Sequence, residues 1–431
     1  MNQTDQTNQT TVPSVLLSST EQATTVLPNL ERIIRGLLYV YIFSLPFPQL
    51  LFIERNGFIM LLVLLTIWCV ISRQHFFLQT ALDMPLLALM SWVAISVPFA
   101  TSPAYSAGEL GKLVQQTMIF YVVVSFLRNE CDRMRLLWLF LGGLTVVSAY
   151  GIWQFAAKLL GIKFYYLIES FLSHEIWLTT YLITVVPLGA AMAMTASLRW
   201  QRAGAWTITG LGVICQLLTF SRAGLLALFV EAIVLAMFVR KRVVTALVAA
   251  FIISILVAAS VLVILESRER LSFIPGPAKL TTYNLESRMK AWQLGASKLM
   301  EHPLLGIGYG KSNFYIVTKE DPRYLEVGNQ VPMAVGLHNT FLDISVGAGV
   351  PAGLAYLWLM WAGLQAGVRQ FRSDTDMVSR MWSLALAVLI AGVFVRNLFD
   401  HMWIGSMALL FWVIVAVSLQ PAAKPERAEA S

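Results

Sequence analysis

Long apolar runs alternate with short polar breaks along most of this chain. Runs of spanning or near-spanning length fall near residues 36–53, 57–72, 84–100, 113–127, 136–157, 176–198, 204–220, 223–239, 243–265, 340–367, 381–397 and 401–419. A helix needs about 20 apolar residues to cross the hydrocarbon core of a bilayer, where every backbone polar group must be satisfied within the segment. The pattern predicts an all-α polytopic membrane protein with about 12 transmembrane helices. Residues 1–30 are rich in Thr, Gln, Asn and Ser and hold no Lys or Arg. They lack the basic start and short apolar run of a secretory signal, and a disordered tail is expected. Residues 266–339 form one long loop. The expected organisation is a tail at 1–30, about nine spans at 31–265, the loop at 266–339, about three spans at 340–420 and a short tail at 421–431.

Composition strengthens the membrane reading. At 431 residues the chain is long enough for several soluble domains, yet it is 57% hydrophobic and 13% charged, against about 25% charged in soluble domains. The net charge of +7 points toward polyanions only until the charges are placed by side. On one side of the predicted bundle, together with both termini, lie sixteen of the 31 basic residues; the opposite short loops hold six and the long loop nine. Basic residues concentrate in short cytoplasmic loops, so both termini are expected in the cytoplasm and the long loop on the periplasmic side. Scattered topological clamps of this kind make no nucleic-acid patch. Cys69, Cys131 and Cys215 are far apart in or beside apolar runs, which suits small core hydrophobes and neither a disulfide framework nor a metal cluster.

The residues able to carry chemistry are those where charge breaks the apolar pattern. In the long loop Leu285, Met289, Trp292, Ala296 and Leu299 recur at helical spacing, which predicts a short amphipathic helix with Arg288 on the flank of its apolar face. That arginine either snorkels to lipid phosphate or binds an anion. Arg222, in Thr219-Phe220-Ser221-Arg222-Ala223-Gly224, falls in a tight outer turn against the positive-inside bias, as an interfacial anchor or an anion ligand. His338-Asn339 closes the loop, and an imidazole titrates near enough to neutrality to serve as a general base. Gly306, Gly308 and Gly310 resemble a phosphate cradle only in composition; close backbone approach is the plainer reading. Asp374-Thr375-Asp376 reads as a solvated loop. Glu231 sits mid-span, as a transporter's carboxylate would. Arg396, Asp400 and His401 cluster where the last two spans meet.

Taken in order, Ser221-Arg222-Ala223-Gly224, Arg288 with Trp292, His302-Pro303-Leu304-Leu305-Gly306-Ile307-Gly308 and His338-Asn339 resemble the O-antigen ligase family, part of the wider O-antigen ligase/polymerase superfamily of Gram-negative inner membranes. The resemblance covers roughly residues 205–400. It implies a twelve-span inner-membrane enzyme with a periplasmic active site. Its reaction would move a glycan from undecaprenyl pyrophosphate onto lipid A–core in lipopolysaccharide biosynthesis, by metal-independent, inverting glycosyl transfer without a cofactor. By position His338 matches the family's base, and Arg222 and Arg288 match its pyrophosphate-binding arginines. Asn339, Tyr309, Arg396, Asp400 and His401 are candidates to flank these three. An O-antigen polymerase and a protein oligosaccharyltransferase of the same superfamily stay open, as does a lipid or glycan transporter. The only R-x10-G spacing, Arg199 to Gly210, starts on the expected cytoplasmic side, which favours the ligase over the polymerase.

Overall fold

The computed structural model describes residues 14–162, 168–172, 174–238, 278–321, 336–401 and 405–419, and these residues contain helices and no strand. The helices are α1 (Ser14–Ser44), α2 (Leu51–Ser72), α3 (Asp83–Ser96), α4 (Pro103–Phe126), α5 (Glu130–Leu159), α6 (Glu175–Thr195) and α7 (Arg199–Leu218). They continue with α8 (Arg222–Met237), α9 (Ala278–Glu301), α10 (Lys311–Thr318), α11 (Thr340–Ala348), α12 (Val350–Ser373), α13 (Met377–Asn397) and α14 (Gly405–Ser418). Most expected apolar runs within the described residues coincide with a helix, although the run at 36–53 is divided between the end of α1 and the start of α2 by a break at 45–47; the run at 243–265 lies outside the described residues. Four segments, Pro48–Ser72, Glu130–Leu159, Glu175–Thr195 and Met377–Asn397, are long and apolar enough to cross a membrane by length and composition alone.

Three differences from the expected pattern have physical reasons. α1 begins at Ser14, inside the stretch expected to be a disordered tail, because Thr, Gln and Ser do not prevent a helix that runs on into an apolar face. The expected span at 340–367 is cut at Gly349, which adopts φ +89° and whose missing Cβ would stand 1.9 Å from the Leu304 carbonyl oxygen. Only glycine tolerates both the angle and the approach, so the run becomes short α11 followed by α12. In α9 the buried face consists of Ala291, Leu294 and Gly295, with Met289 and Ala296 exposed. Gly295 lets Leu337 lie close against the helix, which turns the face away from the arc that counting large apolar residues predicts.

The bundle is organised around α13, which packs on α6, α8 and α12. Glu231 of α8 lies directly against Gly392 of α13, so this carboxylate is part of a helix interface. A second, smaller apolar cluster joins Ala291, Leu294, Ile307, Phe314, Leu337 and Val346. It binds α9, the 302–310 segment and α10 to α11. The segment is further tied to α3 by Trp92 Nε1 donating to the Leu304 carbonyl at 3.0 Å, and to the residues before α4 by the Thr101 amide donating to the Ile307 carbonyl at 2.9 Å. Gly306, at φ +67°, lies so close to Val346 and Gly347 that a Cβ would meet their backbone. The glycine-rich stretch therefore serves close packing, against backbone at Gly306 and against side chains at Gly308 and Gly310.

Candidate functional site

His338 is one of few non-glycine residues in the left-handed region, with φ +48°. Such a conformation persists only where neighbours over-determine it, and both neighbours are fastened. The Leu337 carbonyl accepts from Trp292 Nε1 at 2.7 Å and its amide donates to Asp343 Oδ1 at 3.3 Å. Asn339 caps α11, its side-chain oxygen accepting from the Leu342 amide at 3.0 Å, while its Nδ2 donates to the Leu398 carbonyl at 3.1 Å. The kink at His338 thus aims its side chain at the α13–α14 connection, where it remains 36% exposed.

Beneath the imidazole lies a buried ion pair. Arg396, in the last turn of α13, donates from Nη2 to Asp400 Oδ2 at 2.6 Å, and both side chains are almost fully covered. Burial acts to raise the Asp400 carboxyl, but the hydrogen bond from His338 and the charge of Arg396 outweigh it and hold the group below the usual carboxylate range. Asp400 is therefore ionised and only accepts. Its Oδ1 takes the His401 amide at 2.9 Å and faces His338 Nδ1 at 3.5 Å. Because this carboxylate can only accept, His338 Nδ1 is the ring nitrogen placed to donate to it. Thr340 fixes the turn from behind, its hydroxyl meeting the Asp400 carbonyl at 2.8 Å and Asn397 Oδ1 at 3.0 Å. Asn397 Nδ2 donates in turn to the Tyr356 hydroxyl at 2.6 Å.

Two further arginines belong to this end of the bundle. Arg288 Nη1 donates to the Phe399 carbonyl at 2.9 Å, next to Asp400, and its charge is felt by Arg396. A guanidinium has five N–H donors, so this bond positions the group while using one. Arg222 is the first residue of α8. Phe220, at φ +54°, turns the chain out of α7, and Ser221 caps α8 by accepting from the Gly224 amide at 3.3 Å. Gly224 lies where a Cβ would touch Thr179 of α6, and Glu175, one turn earlier on α6, interacts electrostatically with Arg396. The start of α6 therefore adjoins both the start of α8 and the end of α13, so Arg222 and the His338 cluster share one end of the bundle. A cation at a helix N-terminus opposes the helix dipole; an anion there would be favoured by both.

On its other side α11 presents Asp343, whose Oδ2 is 3.0 Å from His401 Nδ1. These two residues line a cavity of about 360 Å³ together with Tyr309 and residues of α2, α4 and α14. Burial and the nearby Glu109 and Asp343 carboxylates push the Tyr309 hydroxyl above its ordinary value, so it remains a protonated donor. The structure thus gathers His338, Asn339, Arg396, Asp400 and Arg288 around the 398–401 turn, brings Arg222 to the same end, and sets His401 and Tyr309 on the adjoining cavity. Asp343 was missed by sequence reasoning, being a lone acidic residue in the first turn of an apolar helix. Its only signal was the five-residue spacing from His338.

The Asp374-Thr375-Asp376 motif lies at the opposite end of α13 and is more than a solvated loop. Asp376 caps that helix, accepting from the Ser379 amide at 2.8 Å, and Asp374 accepts from the Ser383 hydroxyl at 3.3 Å.

A comparison with curated proteins found no match. Residues 207–357, about a third of the chain, match the family described as O-antigen ligase. This matched stretch, similar to the O-antigen ligase family, spans the helices presenting Arg222 and Arg288 and the turn presenting His338, while Arg396 and Asp400 lie outside it.

Proposed function

We propose that this protein is an O-antigen ligase of the bacterial inner membrane, with both termini in the cytoplasm and its active site on the periplasmic side. It transfers a glycan from undecaprenyl pyrophosphate to a sugar hydroxyl of lipid A–core, with inversion at the anomeric carbon. The observation that carries this reading is the part-exposed imidazole of His338, backed at Nδ1 by the ionised Asp400 and flanked by Arg288. Nε2 takes the proton from the attacking hydroxyl, and Asp400 stabilises the imidazolium that forms. The leaving group is already a pyrophosphate, so no nucleotide is required. Its growing charge is met by Arg288 and Arg222, whose planar forks suit phosphate oxygens and can do the work of a divalent ion.

The test is reconstitution of the full chain with purified undecaprenyl-pyrophosphate-linked glycan and purified lipid A–core. A covalent glycan–lipid A–core product is expected. A product formed only on a second lipid-linked glycan would make the protein a polymerase, one formed only on a polypeptide would make it a protein oligosaccharyltransferase, and transbilayer movement without a product would make it a transporter.

A further inference from the structure

The 360 Å³ cavity beside the site is not used by the chemistry above, since Arg222, Arg288, Arg396 and His338 are not among its lining residues. Its size is that of a small-ligand pocket, about 300–1,000 Å³. Three basic side chains (Arg55, Lys112 and Lys311) and three acidic ones (Glu54, Glu109 and Asp343) line it. A site for phosphate would carry an excess of positive charge, and one for a metal ion an excess of carboxylates. Balanced charge set among glutamine amides and the tyrosines Tyr105 and Tyr309 instead suits vicinal hydroxyls. Each hydroxyl both donates and accepts, and the C–H faces of a sugar ring pack on aromatic rings.

The cavity also touches the reactive turn at two points. Asp343 holds the Leu337 amide, one residue before His338, through Oδ1 and faces His401 through Oδ2. The His401 amide in turn donates to Asp400. The wall of the cavity therefore stands one residue from His338 on one segment and one residue from Asp400 on the other. Inverting displacement requires the attacking hydroxyl and the departing pyrophosphate on opposite sides of the anomeric carbon. The arginines that would hold the pyrophosphate do not line the cavity, which leaves it free for the partner that brings the hydroxyl.

We propose that this cavity is the acceptor subsite and binds the receiving sugar, with Asp343 and His401 as positioning residues that turn its hydroxyl toward His338. This rests on the glycosyl-transfer reading. In the step itself the hydroxyl gives its proton to His338 Nε2 and its oxygen bonds the anomeric carbon. The carbon–phosphate-oxygen bond breaks, and its electron pair leaves with the pyrophosphate.

The test uses the detergent-solubilised full chain and the double variant Lys112→Ala/Lys311→Ala, which shortens two surface side chains and leaves the packed core intact. KM for lipid A–core is expected to rise at least about tenfold through loss of charge-assisted hydrogen bonds, while KM for the lipid-linked donor holds. An unchanged acceptor KM, or a rise confined to the donor KM, would overturn the assignment. Binding of lipid-free core oligosaccharide is measured separately. A wild-type protein that binds this probe without transferring glycan sinks the transfer reading and keeps the sugar site if the double variant loses the binding. Transfer by wild type with no difference in probe binding between the two proteins sinks the sugar site alone.

Discussion

Each end of helix α13 meets a buried arginine beside acidic side chains, but the two stand in different surroundings. At its start the buried Arg133 donates to the Ser379 hydroxyl at 3.1 Å and faces the carboxylates of Asp374 and Asp376. At its end the buried Arg396 pairs with Asp400. Both are an arginine desolvated beside acids, and by burial and charge alone they look alike. The first is closed: Asp376 spends itself on the helix cap, and accepting the Ser379 amide lowers its carboxyl below the ordinary value. The second opens upward through Asp400 to an imidazole that is part exposed and held in a left-handed turn, with Arg288 alongside. A buried arginine–carboxylate pair is thus no sign of chemistry in itself. What distinguishes the Arg396 end is an imidazole that the pair faces and that stays part exposed.

That contrast can be broken most sharply at His338. His338→Ala is expected to insert normally and to lower the transfer rate by about 10²–10⁴, the usual worth of a general base, measured with the reconstituted substrates. Near wild-type transfer would remove the distinction between the two ends. Asp400→Asn strips the counter-charge from buried Arg396, and losing one partner of a buried pair costs about 3–5 kcal/mol. Thermal unfolding should show that loss, and kcat should fall with it as the imidazolium loses its counter-charge. A variant that unfolds earlier yet keeps full kcat would reduce Asp400 to a structural role.

Arg222→Lys and Arg288→Lys preserve charge and remove the fork. A loss of about tenfold to a hundredfold is expected, matching one charge-assisted hydrogen bond of about 1.5–3 kcal/mol; full activity in both would reduce them to generic electrostatics. At the closed end, Asp376→Ala should cost about 1 kcal/mol of stability, as lost N-caps do, with transfer unaffected. A drop in transfer at matched stability would show that the closed end also reaches the reaction. The smallest effect is expected from EDTA, which should leave the rate unchanged; activity lost to the chelator and restored by a divalent ion would give the arginines a metal partner.

Much of this was readable before any helix was placed, and the unreadable parts share one cause. Arg396 and Asp400 are four residues apart, so a helix turn was enough to bring them together. His338 and Asp400 are 62 residues apart, and no local rule connects them. The helical stretch around Arg288 and Trp292 followed from spacing, but the face it buries did not. That face was decided by Leu337 fitting against Gly295, a contact invisible to a count of apolar residues. The break at Gly349 depended likewise on how near Leu304 runs, and the left-handed turn at His338 on bonds from Trp292 and Asn339.

The amino-acid sequence by itself determined that this chain is helical and apolar and where nearly all of its described helices lie. Hydrophobic runs and caps act over a few residues, within reach of local physics. It also singled out Arg222, Arg288 and His338, because charge is scarce in such a chain and its misplacement is conspicuous. Only the tertiary structure decided which of those charges meet, that Asp400 backs His338, that Asp343 and His401 wall a cavity beside them, and that the acidic motif at the far end of α13 is a cap. Ion pairs, close backbone approach and left-handed turns depend on distances between segments far apart in the chain, and packing alone sets those distances.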